Sequence, residues 1–275
     1  MEEENDQSGS EEKEISLLRP VWTGSISLGL VNVPVKALPI TRDRTIHFRM
    51  IHRECGTPIH YKKVCEEGKE VDRDGIVYGY EFTRGEYVIL EKEELEEAKP
   101  ESSNDISLDA FISYLEVDPH YFRKTYLLVP DESDRAYALL LQAMIENGRA
   151  AVGTVTMHSR ERIMLIHPYE EGIVATELRY EDEILSPAKA PSLSDLPEPA
   201  KEELELAQEI IERLTKPFDH SGYTDRYREQ LIEIITAKAE GRIVELGKKE
   251  KKPSVENLLV ALRQTAEGLK EDLSG

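Results

Sequence analysis

Residues 21–36 read VWTGSISLGLVNVPVK, and the first strand signals of the chain occur in this stretch. Polar and apolar side chains alternate from Ser25 to Leu28, as in a strand with one buried face. Pro34 has no N–H to donate to a ladder, so it indicates an edge position or a strand end. The stretch therefore predicts that the folded part of the chain opens with a sheet.

Further strand signals follow, separated by Gly, Asp and Pro. In residues 45–50 Ile46, Phe48 and Met50 share one face, whereas His47 and Arg49 share the other. This pattern predicts a sheet with an apolar side and a cationic side. The other predicted strands are residues 59–64, 87–90, 106–117, 125–129, 151–157 and 163–167. So many strands predict a closed or strongly curved sheet, in a mainly β fold with α additions (α+β).

Helical signals occur once inside this region and again near the C-terminus. Ser133 suits an N-cap and Gly148 the C′ position of one internal helix. Apolar stripes at helical spacing then run through residues 204–214, 227–235 and 255–269. We expect five segments: a disordered acidic tail (1–18), a β core (19–186), a Pro-rich linker (187–200), a helical arm (201–247), and a short basic run with an amphipathic helix (248–275).

The chain is acidic, with 35 Lys and Arg against 55 Asp and Glu and a formal net charge of -20. This total disfavours nucleic acid as a partner, because an acidic protein repels phosphates at long range. The charge is segregated, however: residues 19–63 contain eight bases and two acids. Such segregation is typical of a protein with one cationic surface and an acidic exterior.

Arg and Lys fixed on strands can hold phosphates without reading bases. The same residues could equally form surface ion pairs with the abundant acids, so composition does not decide between the two interpretations. The candidate phosphate contacts are Lys36, Arg42, Arg44, Arg49, Lys62, Lys63, Arg123, Lys124, Arg149, Arg160 and Arg162.

Several other classes of protein are disfavoured. The longest uncharged stretch, residues 20–35, is shorter than the roughly 20 apolar residues of a membrane helix. The first fourteen residues carry seven acids and one Lys, unlike a secretory or mitochondrial leader, so we expect a cytoplasmic protein. No phosphate-binding loop, HExxH or GxSxG motif occurs, so the sequence indicates no nucleophile paired with a base and no cofactor site.

Four residues, His52, Cys55, His60 and Cys65, are of the types that bind zinc. Structural zinc sites usually take paired ligands spaced C-x2-4-C, whereas the two cysteines here are spaced C-x9-C. We therefore expect reduced thiols and no metal.

Residues 21–36 resemble the opening motif of the prokaryotic Ku family. Two later stretches agree in order, DPHYFRKTYLLVP at 118–130 and YTDRYREQL at 223–231. Between them, GRAAV at 148–152 and SRERI at 159–163 resemble the basic hairpin of that family. The resemblance covers residues 19–268.

The resemblance implies a Ku-type β-barrel with a ring-forming arm and a helical C-terminal region. It further implies a homodimer that encircles double-stranded DNA ends without reading sequence. Such a dimer would recruit a multi-domain DNA ligase (ligase D type) in non-homologous end joining, without catalysis of its own. Among the cations, Lys36, Arg149, Arg160 and Arg162 rank highest because they lie in the matched motifs.

Two features differ from many members of that family. Residues 65–69 read CEEGK where many members carry C-x-x-C-G, so a metal knuckle cannot be carried over from that family. The basic run at 248–252 is short. The last stripe, with Leu258, Leu262 and Leu269, either docks a partner such as the ligase or packs on its own core.

Two rival functions remain. One is an acidic protein-interaction scaffold with a β-barrel peptide-binding module, and dependence on linear duplex separates it from DNA-end binding. The other is a metal-dependent nuclease using acids such as those clustered at 91–97, which would require metal-stimulated loss of substrate.

Overall fold

The computed structural model describes residues 18–98, 103–157, 160–242 and 258–272, with only the backbone at 258 and 268–272. The chain divides into two compact units. One comprises Met1–Arg44 and Phe48–Leu185, and the other comprises Thr45–His47 and Ser186–Gly275. No helix among the described residues has the length and apolar character needed to cross a membrane.

Seven of the described strands form a closed barrel, in the order β1-β2-β6-β9-β8-β7-β5. The described strands are β1 (Trp22–Leu28), β2 (Val31–Pro39), β3 (Tyr78–Thr83), β4 (Glu86–Leu90), β5 (Asp105–Ile112), β6 (Phe122–Pro130), β7 (Ala150–Met157), β8 (Arg160–Tyr169) and β9 (Gly172–Leu178). Neighbours in the barrel are antiparallel except β1 and β5, which are parallel. β3 and β4 form a separate hairpin. The predicted mainly β fold with a curved, closed sheet is confirmed.

The glycine of the WTGS segment is required where β1 meets β5. The Ser25 N–H donates to the carbonyl of Asn104, 2.8 Å away, just before β5 begins. A Cβ placed on Gly24 would lie 2.0 Å from that carbonyl oxygen and 2.3 Å from the Trp22 ring. Any side chain at this position would therefore separate the two strands that close the barrel.

The described helices are α1 (Lys92–Glu97), α2 (Asp134–Asn147), α3 (Lys201–Leu214), α4 (Arg226–Ala239) and α5 (Leu258–Asp272). The predicted internal helix is confirmed as α2, which ends at Gly148 with a left-handed φ of 59°. Ser133 is its N-cap residue, but its hydroxyl donates to the carbonyl of Pro34 and makes no capping bond. α2 is therefore anchored at its start to β2.

Tyr137 fixes α2 to the barrel. Its buried hydroxyl donates to the carbonyl of Leu128 on β6 and accepts from the N–H of Ile173 on β9, both at 2.7 Å. Met144, about two turns further along α2, is buried in the same apolar cluster as Ile26 and Ile166. α2 therefore covers one end of the barrel.

The predicted strand at 45–50 is wrong, since these residues form no described strand and Phe48 is 66% exposed. The prediction at 59–64 is also wrong. The chain there turns back at Gly56 and Gly68, both with positive φ, and leaves only isolated bridges such as Ile51 with Pro58. Alternation gave these segments strand character, but a strand also requires a neighbour along its whole length.

Other strand predictions are confirmed, at 87–90, 125–129, 151–157 and 163–167. The strand predicted at 106–117 ends at Ile112 and is followed by a 3₁₀ turn. Pro34 is not a strand end, because β2 continues to Pro39. It lies one residue beyond the last pair with β6, so the ladder on that side does not need its missing N–H.

The C-terminal unit contains the three helices that the apolar stripes predict. α3 packs against α5, and Arg263 of α5 donates to Glu202 of α3. Ala266 is buried and Leu262 is half-buried, so this part of α5 packs within its own unit. The basic run at 248–252 and Val255 lie outside the described residues.

Candidate nucleic-acid interface

The barrel has two ends that differ in chemistry. At one, which we call the Arg123 end, β6 and β8 begin while β7 and β9 finish, as the pairs Phe122 with Leu178 and Met157 with Arg160 show. At the other, the α2 end, β8 meets β9 through the pair Tyr169 with Gly172.

The first half of the motif at 118–130 meets residues 160–163, the described part of the motif at 159–163, at the Arg123 end. Arg123, Lys124 and Arg162 line a cavity of about 620 Å³ together with Tyr126. Arg160 joins Arg123 and Arg162 around an adjacent cavity of about 180 Å³. The fold therefore brings four of the eleven candidate bases together.

Glu177 lies between two of these bases. Its side chain is 3% exposed, and it accepts a hydrogen bond from Arg162 and a longer one, of 3.5 Å, from Arg123. Arg123 also lies 3.7 Å from Glu183. Burial raises the pKa of Tyr126, and the charge of the Glu177 carboxylate adds to the rise. Arg123 and Arg162 are thus compensated within the barrel wall, which reduces the charge they offer to a phosphate.

Lys124 and Arg160 differ from that pair. Both are exposed, and neither has an ion pair among the described residues. The acids lining the two cavities are Asp43, Glu161, Glu177 and Glu183, which equal the bases in number. The lining of the two cavities is therefore neutral as a whole, and Lys124 and Arg160 are the two of its four bases that have no ion pair among the described residues.

The other seven candidates do not line these two cavities, although Arg42 and Arg44 flank Asp43, which lines the larger one. Lys36 pairs with Asp131 at 2.6 Å, near the start of α2. Arg149 is exposed at the α2 end, at the opposite end of β7 from Arg160, a strand length of about 25 Å. Lys62 pairs with Glu70 at 2.9 Å. The four remaining candidates, in the irregular segment after β2, are Arg42, Arg44, Arg49 and Lys63.

The possible zinc ligands do not converge. The Nδ1 of His52 lies 3.1 Å from the Sγ of Cys55, and the hydroxyl of Thr57 lies 2.9 Å from that sulfur. The hydrogen bond from Thr57 lowers the pKa of the Cys55 thiol. Over the described part of the chain, His, Cys, Asp and Glu form no group of three that could hold a metal ion.

Sequence reasoning missed Glu177. A signal for it exists, because β9 reads GIVATEL and a single carboxylate in an otherwise buried run needs a partner. The partner bases lie on β6 and β8, the two strands that flank β9 in the barrel. Only the order of strands in the barrel identifies them.

Glu177→Ala is expected to destabilise the protein by about 3 kcal/mol, because it leaves Arg162 and Arg123 facing each other without a counter-charge. Urea denaturation followed by circular dichroism measures the change. Glu183→Ala is the matched control, since that carboxylate is exposed and its removal is expected to cost less than about 1 kcal/mol. Equal losses for the two variants would contradict a supporting role for Glu177.

The comparisons with known proteins agree with the fold. The Ku70/Ku80 beta-barrel domain family matches residues 27–206. The chain is similar to the Non-homologous end joining protein Ku of Archaeoglobus fulgidus, with 38% identity over 92% of this chain and 100% of that protein.

Proteins with the same name from two other organisms are also similar to this chain. The protein of Heliobacterium modesticaldum is 35% identical over 92% of this chain and 93% of its own length. That of Bacillus subtilis is 35% identical over 82% of this chain and 73% of its own length. A solved structure, the SPOC domain of human PHD-finger protein 3, has 14% identity and a TM-score of 0.29 and covers 58% of this chain and 97% of its own. On the family match and these identities, the chain belongs to the Ku family.

Proposed function

We propose that this chain is a sequence-independent double-stranded DNA end-binding protein of non-homologous end joining, which acts as a homodimer and without catalysis. The observation that carries the proposal is the convergence of the motif at 118–130 with residues 160–163 at the Arg123 end, where Lys124 and Arg160 are exposed without ion pairs among the described residues. The names of the relatives, Non-homologous end joining protein Ku, support the same assignment.

Recognition of phosphates and not of sequence fits the residue types. Lys124 lies near the start of β6, and Arg160 is the first residue of β8. Only β9 separates these two strands in the barrel. Long cationic side chains on a rigid sheet suit phosphate contacts, which fix the register of a protein on the duplex and carry no base information. The acidic remainder of the chain would limit binding to DNA by other surfaces.

Dimerisation is supported by the hairpin of β3 and β4. We call this hairpin the arm; it is a different segment from the predicted helical arm at 201–247. Every residue of β3 is exposed, including Tyr80 at 66% and Phe82 at 76%. A two-stranded hairpin is marginally stable by itself. We propose that the arm is covered by a second copy, and that two barrels and two arms close a two-fold ring around the duplex.

Ligase recruitment belongs to the same proposal and is assigned to the C-terminal unit. There Ile211 and Phe218 leave apolar surface exposed, at 64% and 75%. Leu262 of the predicted docking stripe is half-buried beside α3, so it contributes to packing inside the unit. The side chains of Leu258 and Leu269 lie outside the described residues.

The proposal is tested by measuring retention of the purified protein on a linear duplex, on the same sequence as a closed circle, and on single strands, over a range of salt. We expect stable complexes on the linear duplex and none on the circle, because a ring can thread only over an end. Equal retention on the linear duplex and on the closed circle would contradict encirclement.

The same assay separates the rival functions. Absence of binding to all three nucleic acids at modest salt would favour the protein-interaction scaffold, for which the neutral cavities and the exposed arm are the relevant observations. Adding Mg²⁺ or Mn²⁺ and finding the DNA intact is the expected result for a non-catalytic protein. Metal-dependent loss of the duplex would favour the nuclease.

A further inference from the structure

The α2 end of the barrel carries two adjoining cavities that the proposed DNA contact does not use. One, of about 430 Å³, has Tyr114, Met144, Ile145, Arg149, His167 and Tyr169 among its lining residues. The other, of about 320 Å³, is lined by Leu28, Phe111, Leu140, Ala143, Met144, Asn147 and Arg149. Met144 and Arg149 line both cavities. The two cavities therefore lie on either side of these residues and form one groove, which we call the α2 groove.

The α2 groove combines apolar walls with a single positive charge. Phe111, Ile145 and Tyr169 are each between 44% and 51% exposed, so large apolar side chains remain uncovered. Tyr114 packs on His167 with ring centroids 4.7 Å apart. Burial lowers the pKa of His167, so this imidazole is neutral at pH 7. Arg149 is therefore the one charged side chain among the described residues that line either cavity.

The backbone of Arg149 is rigidly placed. Gly148 ends α2 in the left-handed conformation, and the N–H of Arg149 returns to the carbonyl of Met144 at 3.1 Å. Ala150, the next residue, is buried and begins β7. The guanidinium is exposed and has no ion pair among the described residues. The guanidinium thus extends from a fixed backbone position between the two apolar cavities.

We propose that the α2 groove binds a short extended peptide of a partner protein, in which an acidic side chain is flanked on each side by a large apolar side chain. Each cavity is at the size at which proteins begin to enclose ligand groups, about 300 Å³ and above. Two apolar anchors would fill the recesses, and the carboxylate would pair with Arg149. The inference goes beyond the proposed DNA binding and does not depend on it.

Charge and position disfavour DNA as the occupant of this groove. Its walls are apolar, whereas a phosphate backbone requires several cations. The α2 groove lies a strand length of about 25 Å from Arg160, since Arg149 precedes β7 and Arg160 follows it. A peptide at the α2 end could therefore be held while DNA occupies the Arg123 end.

The test begins with a random peptide library displayed on phage and selected on the full-length protein. We expect enrichment of peptides with Asp or Glu between large apolar residues. One enriched peptide, labelled with fluorescein, is then titrated by fluorescence anisotropy. Arg149→Glu is expected to weaken its binding at least tenfold, and Arg149→Lys to retain most of the affinity, because the positive charge is kept.

Arg135→Glu is the matched control, as it reverses an exposed charge on the same helix outside the residues that line the groove. It is expected to leave the peptide affinity unchanged. Failure to enrich such peptides, or equal binding by Arg149→Glu and the unchanged protein, would overturn the proposal. A change in oligomeric state of Arg149→Glu in sedimentation would also overturn it, in favour of a second copy as the occupant.

DNA binding is measured on the same variants to keep the two proposals distinct. Arg149→Glu is expected to weaken peptide binding at least tenfold whatever its effect on retention of a linear duplex, because Arg149 is also one of the predicted phosphate contacts. Loss of DNA retention with unchanged peptide affinity would assign Arg149 to the DNA interface and overturn the groove proposal. A chain that binds the peptide but no DNA would instead overturn the proposed function alone.

Discussion

Replacing Lys124 and Arg160 together by Ala is expected to lower the affinity for a linear duplex by on the order of 10³-fold at 0.1 M salt. Both side chains are exposed and have no ion pair among the described residues. Each phosphate contact contributes about 0.9 to the slope of log K against log salt. In a two-fold dimer two substitutions remove four contacts, so the slope is expected to fall by about 3.6. Filter binding over a salt series measures both quantities.

Arg135→Ala with Lys189→Ala is the matched control, because it removes the same charge at two residues that do not line the Arg123-end cavities. We expect this variant to change neither the affinity nor the slope appreciably. The loss for Lys124 and Arg160 should also be the same for duplexes of unrelated sequence. A loss restricted to some sequences, or an unchanged slope, would contradict phosphate contact by these residues.

The sequence identified the bases at the Arg123 end but not which of them are available. Arg123, Lys124, Arg160 and Arg162 carry the same charge in the sequence. They differ in their pairing, because Glu177 forms ion pairs with Arg123 and Arg162 but not with the other two. This pairing follows from the placement of β9 between β6 and β8, a long-range arrangement that local patterns do not contain. Rank within a matched motif therefore did not separate the paired bases from the unpaired ones.

The fold was predictable where a local pattern coincided with a local requirement. The helix α2 is an example, since its apolar spacing and its left-handed C-terminal glycine lie within the segment itself, although the Ser133 hydroxyl bonds to Pro34 and not to the helix. Alternation in residues 45–50 carried no such information, because a strand is stabilised by a partner elsewhere in the chain. β9 was missed because its near-continuous apolar run lacks alternation, as in a strand covered on both faces.

Tyr80→Glu combined with Phe82→Glu is expected to convert a dimer to a monomer. The arm exposes apolar side chains on both of its faces: Tyr80 stands opposite Val88 on one, and Tyr87 stands opposite Glu81 on the other. A contiguous surface of this kind on a soluble protein usually marks an interface. Burying two carboxylates without partners in this interface would cost more free energy than the dimer contact provides. Sedimentation equilibrium measures the change in mass.

The same variant is expected to lose retention on linear duplex at physiological salt, since a single barrel offers half of the phosphate contacts and cannot close around the DNA. Leu115→Glu with Leu185→Glu is the matched control, because both leucines are 90% exposed and lie outside the arm. We expect this control to remain dimeric and to bind DNA. The thermal unfolding midpoint should be similar in both variants, as the arm is separate from the barrel sheet. If the arm variant stayed dimeric, the ring would have to close through another surface, and the exposed aromatic residues of β3 and β4 would require a different partner.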